Sequence, residues 1–124
     1  MSWQHIRLNL ARTDEFPNGS AEHGYDLVAP VASDGTLDEM AWRENKSRCY
    51  VRRFWKGEAD ETGELVHTRH RTWAFSYMPG EDDDEPIFSL ETHRLAEGEY
   101  ITITEHDGQR YPFRIVAMAP LVDA

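Results

Sequence analysis

The side chains able to do chemistry in this chain are unevenly placed. His67-Thr68-Arg69-His70 sets two imidazoles three positions apart. That spacing puts two ligands on one face of a helix but on opposite faces of a strand. A metal there needs donors from elsewhere, with His93 or His106 as further nitrogens and Glu91 or Asp107 as oxygens. The candidate metal set is therefore His67, His70 and His93. Cys49 is the one cysteine and lies between Arg48 and Tyr50. Neighbouring arginines favour a thiolate. However, Val51 at i+2 marks that face as core, and a nucleophile also needs a positioned base. Glu81 to Glu85 are five consecutive acids. Calcium loops place their ligands at alternating positions, so this run reads as a solvated loop. No Gly-rich phosphate loop and no Gly-x-Ser-x-Gly turn occurs. No cofactor is expected and no catalytic residue is assigned.

Charge points to a different kind of site. The chain has 13 Lys or Arg against 23 Asp or Glu, a net charge of −10. From Arg43 to Trp73, eight basic residues face five acidic ones, a local +3; the remaining five against eighteen give −13. The basic stretch also holds Tyr50, Phe54, Trp55 and Trp73. Arginine interleaved with aromatic rings is what a single-strand nucleic-acid platform uses. Strand alternation divides the set, putting Arg52 and Phe54 on one face and Arg53 and Trp55 on the other. The overall acidity also disfavours nucleic acid and anionic membranes. The expected site is a surface of Tyr50, Arg52, Phe54, Arg69 and Trp73 on the 48–78 hairpin. It suits a protein partner or a small anionic ligand, in a non-enzymatic binding module. The alternative is a small metal- or histidine-dependent enzyme, with its site in a barrel cavity near Trp55, Trp73 or Phe75.

These residues must be positioned by strands, because the dominant pattern along the chain has period two. Ile6, Leu8 and Leu10 alternate with Arg7, Asn9 and Ala11 in a half-buried first strand. Pro17 and Asn18-Gly19 mark a turn, and Tyr25 to Ala32 form a second strand that Pro30 limits to an edge or bulge at its end. Thr36-Leu37-Asp38-Glu39 has the form of a capping box. It predicts one short helix over about 36–45, with Leu37, Met40 and Ala41 as its apolar stripe and a lid or plug as its role. Cys49 to Lys56 and Leu65 to Met78 flank an acidic Gly-containing loop as a hairpin.

The last hairpin can be given a register. A three-residue loop, His106-Asp107-Gly108, pairs Ile103 with Tyr111 and Ile101 with Phe113. A two-residue loop would set Ile103 against Pro112 and Ile101 against Arg114. One slip of register flips every side chain, so the first arrangement is expected, with Gly108 left-handed in a bulge. The fold expected is mainly β, a single antiparallel barrel or strongly curved sheet of about six strands with one short helix, and one domain over 1–124. The lone cysteine, the absence of a basic, apolar leader pattern and the short apolar runs lead to an expected cytoplasmic setting. Oligomeric state has no signal in the sequence.

Overall fold

The computed structural model describes residues 1–68, 72–77, 85–87, 90–105 and 107–121. Among them run eight strands: β1 (Ser2–Leu10), β2 (Ser20–Val31), β3 (Tyr50–Trp55), β4 (Glu61–His67), β5 (Trp73–Ser76), β6 (Glu85–Ile87), β7 (Tyr100–Thr104) and β8 (Arg110–Pro120). Each pairs antiparallel with its neighbours in chain order, and β8 returns to β1. The result is a closed barrel, which leaves no unpaired sheet edge.

The fold class agrees with the sequence, but the strand count is eight rather than about six. The difference lies mainly in 61–76. Leu65 pairs with Phe75 and His67 with Trp73, so inward positions keep the same parity on both sides of the turn. Alternation therefore runs through without a phase break, and no Gly or Pro punctuates Thr68 to Thr72. Thr68 and Thr72 tie the strands together instead: the Thr68 amide donates to the Thr72 carbonyl at 2.8 Å and their hydroxyls meet at 2.8 Å.

The final hairpin has the expected register. Ile103 pairs with Tyr111, Ile101 with Phe113, Thr104 with Arg110 and Tyr100 with Arg114. Gly108 has φ of 80°, and its amide donates to the Glu105 carbonyl.

Alternation along the strands fills the barrel. Ile6, Leu8, Tyr25, Leu27, Val51, Leu65, Phe75, Ile103, Phe113 and Ile115 are all buried in one cluster. Helix α1 (Glu39–Glu44) is capped by Asp38, whose Oδ1 accepts the Ala41 amide at 3.0 Å. Thr36 is not the cap, since its hydroxyl bonds Asp34 at 2.7 Å. The apolar face also shifts by one position. Ala41 and Trp42 are buried, whereas Met40 is exposed.

Trp42 is the plug. Its ring meets Trp73 edge-on at 4.7 Å, and its Nε1 donates to the Leu65 carbonyl at 2.8 Å. With Leu90 and Leu95 buried in the same core, the end of the barrel bearing His67 and Trp73 is packed with apolar side chains among the described residues. Cys49 is buried in this core, and burial pushes its thiol up to about 11. No helix among the described residues is long and apolar enough to cross a membrane.

Candidate functional site

At the opposite end the inward-facing layer changes character. Alternation carries Val51 to Arg53, Ile103 to Glu105 and Ile87 back to Glu85, so a charged side chain follows an apolar one on three strands. All three are buried, as is Tyr25 on β2. The Tyr25 hydroxyl bonds Glu105 Oε2 and lies 3.1 Å from Glu85 Oε1. The Tyr77 hydroxyl donates to Glu85 Oε1 at 2.6 Å. Arg53 reaches Glu105 at 3.5 Å through Nη2, Glu85 at 3.5 Å through Nε, and Glu58 at 3.1 Å through Nη1.

Two buried carboxyls this close cannot both ionise cheaply. Burial, the hydrogen bond to Glu105 and the Glu105 charge push Glu85 up to about 9, against the opposing pull of Tyr77 and Arg53. The Glu85–Glu105 pair therefore holds a proton at neutral pH, with the upward shift falling on Glu85. The 3.5 Å contact of Glu85 with Arg53 is then a polar contact rather than a full ion pair. Burial also works against the charge on Arg53, but Glu105, Tyr25 and Glu85 outweigh it and the guanidinium stays charged. Burial and the neighbouring carboxyls hold the Tyr25 and Tyr77 phenols well above their ordinary range, so both remain proton donors.

This layer opens outward into a pocket of about 410 Å³, within the range of small-molecule sites. Arg53 and Glu105 reach it from below, and Phe16, His23, Trp55 and Tyr111 line it as walls. The walls form one run of rings. Phe16 lies 4.7 Å from His23, His23 meets Trp55 edge-on at 4.6 Å, and Trp55 is 6.4 Å from Tyr111. The Arg53 guanidinium rests on Trp55 at 4.5 Å, a cation–π contact. His23 accepts or donates at 2.6 Å to the Ser20 hydroxyl, and burial lowers its pKa, keeping the imidazole neutral.

A tight loop aims Phe16 into the mouth. The Phe16 amide donates to the Thr13 hydroxyl at 3.0 Å, and the Gly19 amide closes back on the Phe16 carbonyl at 2.9 Å. Gly19 has φ of 71°, and a Cβ there would sit 2.7 Å from the Leu10 carbonyl oxygen, so glycine is needed.

The residues singled out from the sequence are dispersed. Phe54 is on the outer wall, with Arg7 4.0 Å and Arg52 5.5 Å from its ring. Arg52 bonds Asp26 and Asp60, and Arg7 and His5 also approach Asp26, so that outer charge is internally compensated. Tyr50 is exposed. Trp73 faces the core with 3% exposure, on the plugged side, and does not share a surface with Arg52 and Phe54. Arg69 lies outside the described residues.

The histidines are similarly separated. His67 stacks on Trp73 at 4.7 Å at the plugged end, with Glu39 4.0 Å from its Nδ1. His93 follows the short 3-10 turn Leu90–Thr92, and His70 and His106 lie outside the described residues. Among the described residues, no three His, Cys, Asp or Glu side chains come together as a metal site. Phe75 is core, and Trp55 lines the open pocket.

Of the acidic run, 81–84 lie outside the described residues, and Glu85 is a buried strand residue rather than part of a solvated loop. The signal that could have found the polar layer is inward parity: Val51-x-Arg53 and Ile103-x-Glu105 place each charge two residues beyond a core position. Comparison with family models, curated proteins and solved structures finds no match for this chain.

Proposed function

We propose that this protein is a small-molecule-binding barrel, a non-enzymatic module whose ligand occupies the pocket at the open end. One observation carries the reading. The barrel is plugged by apolar side chains at one end, while the other keeps a pocket of about 410 Å³ walled by aromatic rings and floored by buried Arg53 and Glu105. The lining joins four rings to six charged side chains, more polar than the usual apolar ligand site, so the concavity suits a small polar or charged molecule. The basic aromatic hairpin still contributes, through Arg53 and Trp55 of β3, but from its inner face.

A fragment screen by NMR on the full chain tests the proposal. Fragments are expected to shift resonances of Phe16, His23, Trp55 and Tyr111 together. A library that shifts only outer-wall resonances, such as those of Arg52 and Phe54, overturns it.

A second, catalytic reading is favoured by one observation: Glu105 borders the pocket and shares the Tyr25 hydroxyl with Glu85, whose pKa is raised by burial. A perturbed carboxyl close to a cleft, here Glu85 behind Glu105, is a mark of acid–base sites. In that reading Glu105 takes a proton from a bound ligand and returns it. Deuterium exchange at a ligand C–H in D₂O, present with the natural protein and absent with Glu105→Gln, would favour catalysis. A bound ligand that keeps its protons favours the binding module.

A further inference from the structure

The charges around the pocket do not cancel. It is lined by four carboxylates, Glu15, Glu58, Glu105 and Asp107, and two cations, Arg53 and Lys56. Both cations are engaged. Arg53 is held by Glu58 and Glu105, with Glu61 at 3.9 Å, and Lys56 Nζ lies 3.6 Å from Glu22. Among the described residues, Asp107 accepts hydrogen bonds from the Gln109 amide at 2.9 Å and the Tyr111 hydroxyl at 3.3 Å. Neither Glu15 nor Asp107 has a cationic partner among the described residues. The Tyr111 phenol registers this field: its pKa is raised by burial first, then by Asp107, Glu15 and Glu105.

The walls work in the same direction. Ring faces carry the negative part of the aromatic quadrupole, which attracts a cation within about 6 Å of the centroid. An anionic ligand would meet those rings and two carboxylates without a cationic partner among the described residues, while the pocket's buried Arg53 guanidinium is already committed to carboxyl groups. The net charge of −10 adds a long-range attraction for cations.

We infer that the open-end pocket binds a small organic cation, its alkylammonium head resting on the Tyr111 ring, beside the Trp55 ring that Arg53 already occupies, and facing the carboxylates of Glu15 and Asp107. This inference rests on the pocket being the binding site proposed above.

The test uses choline and its uncharged carbon isostere, in which tert-butyl replaces trimethylammonium, each titrated into the full chain and followed by NMR. Choline is expected to shift Trp55 and Tyr111 resonances with an affinity at least about 10-fold higher than the isostere's, equivalent to a desolvated cation–π contact. Glu15 and Asp107 are both exposed. The double variant Glu15→Gln/Asp107→Asn should therefore melt like the natural protein. It should weaken choline by about 2–10-fold, as expected for two solvent-exposed charges, and leave the isostere unchanged.

Equal binding of choline and isostere overturns the cation inference and leaves the pocket reading standing. So does binding of neutral fragments in the pocket without choline. If neither probe nor any fragment shifts pocket resonances, both readings fall.

Discussion

Arg53→Met removes the buried guanidinium while keeping most of the apolar stem. Its effect separates a true buried ion pair from a crowd of weak contacts. Arg53 has 5% side-chain exposure, and its partners differ sharply. Glu58 and Glu61 are 56% and 43% exposed, so each contributes at most about 1 kcal/mol. Glu85 holds a proton and offers no full charge. That leaves Glu105, 3% exposed and 3.5 Å from Nη2, as the partner stranded by the substitution. An uncompensated buried carboxylate costs about 3–5 kcal/mol, a large part of the ~5–15 kcal/mol a domain possesses. For a chain of this size that is a fall of roughly 12–20 °C in Tm.

Urea unfolding at neutral pH measures the loss, and a double-mutant cycle identifies its origin. Glu105→Gln should be costly alone and nearly neutral in the Arg53→Met background, with a coupling energy of about 2–3 kcal/mol. Additive losses, or a single-variant cost below about 1 kcal/mol, would refute the argument that Glu105 and Arg53 compensate each other inside the barrel.

Three further outcomes are expected. Glu85 has a folded-state pKa raised from 4.5 to about 9, so its protonation stabilises the fold fully below pH 4.5, and that contribution is lost as pH rises through 9. Glu85→Gln, neutral at every pH and still a hydrogen-bond donor, should flatten this alkaline decline; stability–pH curves that run parallel would mean that Glu85 is not the proton holder. Gly24→Ala should cost roughly 3 kcal/mol, the upper range for overpacking, because the new Cβ would lie 1.9 Å from the Leu8 carbonyl oxygen and 2.9 Å from the Phe54 ring. An unchanged urea midpoint would show that the β1–β2 approach has slack. At Gly108, with φ of 80°, valine should cost about 2 kcal/mol or more while asparagine should be tolerated. Equal melting temperatures for the two variants would remove the left-handed bulge as the feature that sets the β7–β8 register.

What the sequence made legible was whatever periodicity and turn chemistry encode locally. The Asp107-Gly108 turn and the apolar partners around it leave one good register, and the structure has it. The β4–β5 turn was hidden because both strands keep odd positions inward, so nothing in the alternation marks the reversal. The helix start slipped from Thr36 to Asp38 because Asp34 captured the Thr36 hydroxyl. Glu85 read as one more acid in a charged run, since a run of like residues conceals the one that turns inward. The open-end pocket was least legible of all. Its walls come from the loop after β1 and from β2, β3 and β8, residues 16 to 111, and only closure of the barrel brings them together.

The polar layer beneath that pocket links several strands through Tyr25, Arg53, Tyr77, Glu85 and Glu105, yet apolar side chains do the same filling one step further in. Val51, Ile87 and Ile103 fill the same three strands two residues away with apolar side chains. Burying a charged cluster where hydrophobic residues would fit is on average neutral or unfavourable for stability. A variant made apolar throughout, Arg53→Met, Glu85→Met and Glu105→Leu with Tyr25→Phe and Tyr77→Phe, removes every charge and hydroxyl of this layer among the described residues. It should then unfold within about 2 kcal/mol of the natural protein, while small molecules bind the pocket more weakly, since Arg53 and Glu105 are part of its lining. The two measurements pull apart the two explanations of the layer. If the apolar variant folds as well but binds small molecules more weakly, the five residues serve the pocket. If it is far less stable than the natural protein, the network of Tyr25, Arg53, Tyr77, Glu85 and Glu105 is what holds this end of the barrel together, and the floor of the pocket is a by-product of that structural task.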